Sequence, residues 1–317
     1  MNEAETKSRV LVADAIATAG VAKLSAGADT KVQTDITPEA LLESIGEFDA
    51  LVVRSRTKVT PEVVAAANGL KVVGRAGVGV DNIDLNACKQ GGITVVNSPL
   101  AASIAVAELT LALMLSLARN TPRADAALKQ GEWIKKQLKG VELYGKTLGL
   151  IALGRIGAAV AERAAAFGMR VLAFDPYITP EQIKARNSES ASLEEIFQHS
   201  DYISIHSPLT EETHHMINAG AIAQMKDGVR LICAARGGVI EEATLLAALE
   251  TGKVAGAALD VFEMEPPGAT ALVVHPNLVA TPHIGAQTHE AQDRAGEDIA
   301  DEVLAVLRGD DLRWRVV

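Results

Sequence analysis

Short apolar runs alternate with longer amphipathic stretches along most of the chain. In the first third, Arg9–Ala13, Lys31–Gln33, Ala50–Val53, Lys71–Gly74 and Thr94–Val96 read as strands. From Lys146 a second series follows, at Thr147–Leu153, Arg170–Phe174, Tyr202–His206, Arg230–Cys233, Ala255–Leu259 and Leu278–Ala280. Helical segments lie between them, the pattern of a parallel sheet covered on both faces. Thr37-Pro38-Glu39 and Thr60-Pro61-Glu62 each place a capping hydroxyl before a proline at the first helical position. Ser192-Leu193-Glu194-Glu195 reads as a capping box before the strand at Tyr202. The pattern predicts an α/β protein with two doubly wound units, and a last helix at about Gln287–Arg308 that can return to the first unit.

Between the two series lies Ala101–Arg119, almost wholly apolar around its circumference. Such a helix is buried, either inside the protein or against a second subunit. Its place where the two units join favours the second reading, hence a homodimer. Glu108 sits in its middle, and the stretch falls short of a membrane span.

A chain of 317 residues suits about two domains. The net charge of −10 argues against nucleic acid or an anionic membrane as a partner, but not against a small anionic substrate, which needs only a few local cations. Cys88 and Cys233 are far apart and imply no disulfide framework. No His-Glu-x-x-His pattern or cysteine cluster suggests a metal. Met1 to Ser8 is polar and charged, unlike a signal peptide, so a cytoplasmic setting is expected.

Candidate chemistry starts at Thr147–Leu153, which runs into Ala152-Leu153-Gly154-Arg155-Ile156-Gly157 and then a helix expected over 158–167. This is the glycine-rich turn of a dinucleotide fold with alanine in place of the first glycine. Gly154 lets the backbone approach a pyrophosphate, Gly157 lets helix and strand pack closely, and the helix start offers N–H groups to phosphate. Asp175 ends the next strand, near where the acid that binds ribose hydroxyls is expected. A carboxylate there repels a 2′-phosphate and favours NAD over NADP. A plain turn role for Asp175, before Pro176, is the alternative.

Three further segments follow strands of the second series: Cys233-Ala234-Ala235-Arg236-Gly237-Gly238, Leu259-Asp260 through Glu265-Pro266-Pro267, and Thr281-Pro282-His283-Ile284-Gly285-Ala286. Open parallel sheets place ligands outside the carboxyl ends of their strands. Oxidising a 2-hydroxy acid needs a base for the hydroxyl proton, a cation for the carboxylate, and an acid that fixes the base's tautomer. His283, Arg236 and Glu265 supply one of each. Singly, each could instead be a solvated or structural residue; their recurrence at successive strand ends is what carries the expectation.

At these motifs the chain resembles the D-isomer-specific 2-hydroxy acid dehydrogenases, from about Val10 to Gly309. Its most specific blocks include Val53-Arg54-Ser55, Val73 to Asn82 (VGRAGVGVDN), Gly145-Lys146-Thr147-Leu148-Gly149, Ala257 to Phe262 (AALDVF) and Thr281 to Ala286 (TPHIGA). The resemblance implies an NAD-binding Rossmann domain over residues 99–285, inserted into a flavodoxin-like substrate domain made of 1–98 and 286–317. It assigns Arg155, Ile156, Asp175, Ser207, Ala234 and Asp260 to the cofactor, together with Gly154, Gly157, Gly285, Ala286 and Val78. For the substrate it implies backbone N–H groups of Gly77 and Val78 at the carboxylate, with Arg54 and Arg75 at a phosphate and Arg236 in the centre. A phosphorylated substrate, 3-phospho-D-glycerate, is therefore expected first; glyoxylate, hydroxypyruvate or lactate are alternatives, and an NAD-sensing binding protein a more distant one. The chain departs from the pattern at Ala101-Ala102-Ser103, where a polar Gly-Asn run is usual, at Cys233, where asparagine is usual, and at Ala152. It ends at Val317, so serine feedback through the C-terminal domain of longer relatives is not expected.

Overall fold

The computed structural model describes residues 7–317, so most of the Met1–Ser8 segment lies outside the described residues. Two compact units emerge: one from the described residues through Ala102 together with Ala286–Val317, the other from Ser103–Gly285.

In the first unit, β1 (Arg9–Val12), β2 (Asp29–Val32), β3 (Ala50–Val53), β4 (Val72–Arg75) and β5 (Thr94–Asn97) form a parallel sheet of order β2-β1-β3-β4-β5. This is the flavodoxin-like order. Between them run α1 (Thr18–Gly27), α2 (Pro38–Ser44), α3 (Pro61–Ala66) and α4 (Leu85–Gln90). The Thr37 and Thr60 hydroxyls accept from the N–H groups of Ala40 and Val63, so both proline-led helices start where the sequence places them. Alternation sorts β1, β3, β4 and β5 between two cores, while β2 at the sheet edge stays largely exposed. Leu11, Leu51, Val53, Val73 and Val95 enter one, and Val10, Val12, Val52, Val72 and Val96 the other. Strands buried on both faces read as continuous apolar runs, which is why they stand out in the sequence.

The second unit opens with α5 (Ser103–Arg119) and α6 (Thr121–Lys129). Then follow β6 (Thr147–Ile151), α7 (Arg155–Ala166), β7 (Arg170–Phe174), α8 (Pro180–Ala185), β8 (Glu189–Ser190), α9 (Leu193–His199) and β9 (Tyr202–Ile205). It closes with α10 (Ala219–Gln224), β10 (Val229–Cys233), α11 (Glu242–Thr251), β11 (Val254–Leu259) and β12 (Leu278–Ala280). All seven strands are parallel, in the order β12-β11-β10-β9-β6-β7-β8. The order reverses between β6 and β9, the switch point where doubly wound sheets bind ligands. The short edge strand β8 is absent from the sequence reading because two polar residues carry no apolar alternation. Ser192 and Glu195 do form the reciprocal capping box.

The apolar helix α5 packs on α7, β10, β11 and β12 and buries Val106, Ala107, Leu111, Leu113, Met114 and Ala118 within the second unit. It is therefore a core helix, although Ile104, Glu108 and Ala112 stay exposed along one stripe. The last helix, α12 (His289–Arg308), belongs to the first unit, where Ile299, Ala300, Val303 and Leu304 complete a core beneath β3 and β4. Among the described residues, no single helix is long and apolar enough to cross a membrane.

Candidate active site

The glycine turn sits between β6 and α7. Helix α7 starts at Arg155 rather than at 158, because Ala158 N–H already donates to Gly154 O. Arg155, Ile156 and Gly157 thus form the first turn, whose N–H groups have no intrahelical acceptor. No side chain caps them and no acid occupies that turn. A β-carbon placed on Gly157 would lie 2.5 Å from the carbonyl oxygen of Ala152, whereas one on Gly154 would meet nothing within 4 Å. Gly157 is thus needed for close packing, and Gly154 keeps space open in front of the helix. Ala152 holds φ 69°, the left-handed backbone at which glycine is at ease.

Asp175, just past β7, accepts from Leu153 N–H with Oδ2 and from Tyr177 N–H with Oδ1. The turn role is real, and each carboxylate oxygen keeps further lone-pair capacity. Past β9, the Ser207 hydroxyl is buried with no hydrogen-bond partner, as is Nδ1 of His206. His206 Nε2 lies 3.0 Å from Ser204 Oγ, and burial pulls its pKa down to about 4, so its ring is neutral.

Arg236 follows β10, Glu265 follows β11 and His283 follows β12, three neighbours in the sheet. Parallel strands about 4.8 Å apart deliver these loops to one edge, spanning roughly 10 Å. Glu265 Oε2 lies 2.7 Å from His283 Nδ1, and its Oε1 accepts from Phe262 N–H at 3.1 Å. A carboxylate that accepts at Nδ1 selects, for the neutral ring, the tautomer with the proton on Nδ1 and the lone pair on Nε2.

The His283 loop is held from below by Asp260, which is fully buried. Asp260 Oδ1 accepts from the Thr281 hydroxyl at 2.6 Å and Ile284 N–H at 2.8 Å, and Oδ2 from Gly285 N–H at 2.8 Å. Its carboxylate is spent on shaping the loop that presents His283, whose own φ is 51°. Ala234 is buried at the end of β10. Cys233 is buried too, and burial pushes its thiol pKa up, which keeps it an unreactive thiol.

Of the residues expected at the substrate, Arg54, Arg75, Gly77 and Val78 lie in the first unit, as does Ala286, and Arg236 lies in the second. Arg54 follows β3 and Arg75 ends β4, adjacent strands of the sheet. The Arg75 guanidinium lies over Gly77, 1.6 Å from where a β-carbon would stand, and Gly77 holds φ 145°, a backbone that favours glycine. Asn97 Nδ2 donates to Val78 O at 2.6 Å and fixes that turn. Buried Asp14 gathers Arg54 N–H, Thr57 N–H and hydroxyl, and Arg56 Nε. Asp14 and Asn97 escape the sequence reading, and Thr281 enters it only as part of a matched block. Asp14, directly after an apolar strand, had the one local signal; the partners of the others are distant in the chain.

Residues 111–285 match the family model described as D-isomer specific 2-hydroxyacid dehydrogenase, NAD binding domain. The chain belongs to the D-isomer specific 2-hydroxyacid dehydrogenase family. It is 50% identical over 303 residues to a D-3-phosphoglycerate dehydrogenase of Methanocaldococcus jannaschii, an alignment covering 95% of this chain and 58% of that one. The chain spans a little over half the length of the curated relatives it matches. Among solved structures, the TT0316 protein of Thermus thermophilus aligns with TM-score 0.88 at 37% identity, over 98% of this chain and all of that one. The D-lactate dehydrogenase of Aquifex aeolicus, complexed with NAD and lactic acid, aligns with TM-score 0.83 at 32% identity, covering 95% of this chain and 96% of that one.

The second unit of this family member fits NAD on its own geometry. The uncapped α7 start with open space before Gly154 suits a pyrophosphate, Asp175 suits ribose hydroxyls, and buried Ser207 Oγ lacks a partner at the neighbouring strand end.

Proposed function

We propose that the protein oxidises 3-phospho-D-glycerate to 3-phosphohydroxypyruvate with NAD. The Glu265–His283 pair carries the reading, because it engages Nδ1 of His283 and leaves Nε2 as the nitrogen for the substrate hydroxyl, on a loop whose shape Asp260 fixes. NAD, when bound, supplies the hydride acceptor. His283 Nε2 takes the hydroxyl proton as hydride leaves C2, and Glu265 stabilises the resulting imidazolium across the 2.7 Å contact. Arg236 binds the carboxylate and polarises the forming carbonyl. The Val78 N–H serves the carboxylate, since the Gly77 N–H is already given to Arg75 O at 2.8 Å, and Arg54 and Arg75 serve the phosphate. Several relatives at 44–50% identity are named D-3-phosphoglycerate dehydrogenase, which supports the phosphorylated substrate. We also propose a cytoplasmic homodimer that pairs through the exposed stripe of α5.

The second reading is a non-phosphorylated D-2-hydroxy acid, favoured by the apolar Leu100-Ala101-Ala102 and by structural neighbours named glyoxylate reductase and D-lactate dehydrogenase. A substrate panel run in both directions with NAD and NADP separates the two. Faster turnover of D-lactate or glycerate than of 3-phosphoglycerate would overturn the first. In the same assay, His283→Ala is expected to lose roughly 10²- to 10⁴-fold in turnover while still binding NAD. Undiminished turnover in that variant would remove His283 from the chemistry.

A further inference from the structure

The loops that carry Arg236 and Glu265 touch through their backbones. A β-carbon on Gly237 would stand 1.8 Å from Phe262 O and 2.9 Å from Glu263 N. One residue from a third loop grips both. His215 N–H donates to Gly238 O at 2.8 Å, two residues past Arg236. Its ring Nε2 lies 3.1 Å from Glu263 Oε1, two residues before Glu265. Glu263 is further fixed by a reciprocal pair with the start of α11: Glu242 N–H donates to Glu263 Oε1 at 3.0 Å, and Glu263 N–H to Glu242 Oε1 at 2.7 Å. His214 stacks on the His215 ring with centroids 3.9 Å apart, which limits the ring's rotation. His215 itself holds φ 50°, a backbone that a non-glycine residue keeps only where its surroundings enforce it.

We propose that His215 is a positioning residue that ties the Arg236 loop to the Glu265 loop, so that the orientation of the Glu265–His283 pair depends on the His215–Glu263 contact. The proposal rests on the reading of Arg236, Glu265 and His283 as the hydride-transfer centre. A ring that touches neither Glu265 nor His283 then acts on them through two residues of backbone, and its loss tilts the acceptor of the Nδ1 proton.

His215→Asn tolerates the left-handed backbone but is too short to reach Glu263; His215→Gln restores an N–H donor at longer reach. In the full chain, His215→Asn is expected to lower kcat roughly five- to tenfold with KM and NAD affinity near wild type, and His215→Gln to recover most of it. Combining His215→Asn with Glu263→Ala should cost no more than Glu263→Ala alone, which cuts the His215 contact together with that to the Glu242 N–H. Independently of turnover, ¹⁵N spectra should show His283 held as the Nδ1–H tautomer in the wild type and mixed in His215→Asn. Wild-type kcat with an unchanged His283 signature in that variant, or additive losses in the double variant, would overturn the proposal. Should His215→Asn fail to fold, Glu263→Ala interrogates the same contact with the same readouts. A wild-type protein that turned over no 2-hydroxy acid would sink the functional reading instead, and the tautomer signature would still decide the coupling.

Discussion

Ala152 shows how one methyl group records a compromise. At φ 69° it occupies backbone that costs an L-residue about 1–2 kcal/mol, partly offset because alanine has less chain entropy to lose than glycine. Ala152→Gly is therefore expected to raise stability by about 1 kcal/mol, read as a higher midpoint in scanning calorimetry; a lower midpoint would contradict the strain. His206 gives the second residue-scale expectation. Its ring binds a proton near pH 6.5 when unfolded but only near pH 4 when buried, so the unfolded chain takes up the proton first. Stability then falls as pH drops from about 6.5 towards 4, by at most about 3 kcal/mol. Urea unfolding at pH 7 and pH 5 should show that loss in the wild type and a smaller one in His206→Phe; equal losses would exclude His206 as a source. The alanine at 152 is visible in the sequence, and the neutral histidine is not, because neutrality comes from what packs around it.

At the scale of elements, the strands were the most legible parts. Ala50–Val53, Arg170–Phe174 and Leu278–Ala280 fall on the residues the apolar pattern marks. Capping was equally local: Thr37, Thr60 and Ser192 each bond an N–H three residues on, within the reach of their own sequence neighbours. Helix starts without a polar cap were harder, and α7 begins earlier than its apolar period suggests because Gly154 takes the capping position without a side chain. The loops could be located but their shapes could not be read. The strand-end segment that carries His283 has its shape from Asp260, more than twenty residues away.

For the whole molecule, helix α5 is where composition under-determined the outcome. An all-round apolar helix satisfies burial equally well inside one chain or between two. Its packing on α7 and three strands takes most of that surface, leaving Ile104 at 47% exposure with Glu108 and Ala112 on the outer stripe. If that stripe seats a second copy, light scattering should give a dimer mass for the wild type and a monomer for Ala112→Glu, whose charge would be stranded in the interface. A wild-type monomer, or an Ala112→Glu dimer, would refute pairing through α5.

The sequence alone determined the two series of parallel strands, the glycine turn at Gly154 and Gly157, and the three strand ends that bear Arg236, Glu265 and His283, because periodicity and turn chemistry act over a few residues. Only the tertiary structure decided which nitrogen of His283 faces Glu265, that Asp260 and Asp14 hold loops, and that most of α5 faces inward. Each of these depends on partners brought together by sheet order rather than by nearness along the chain.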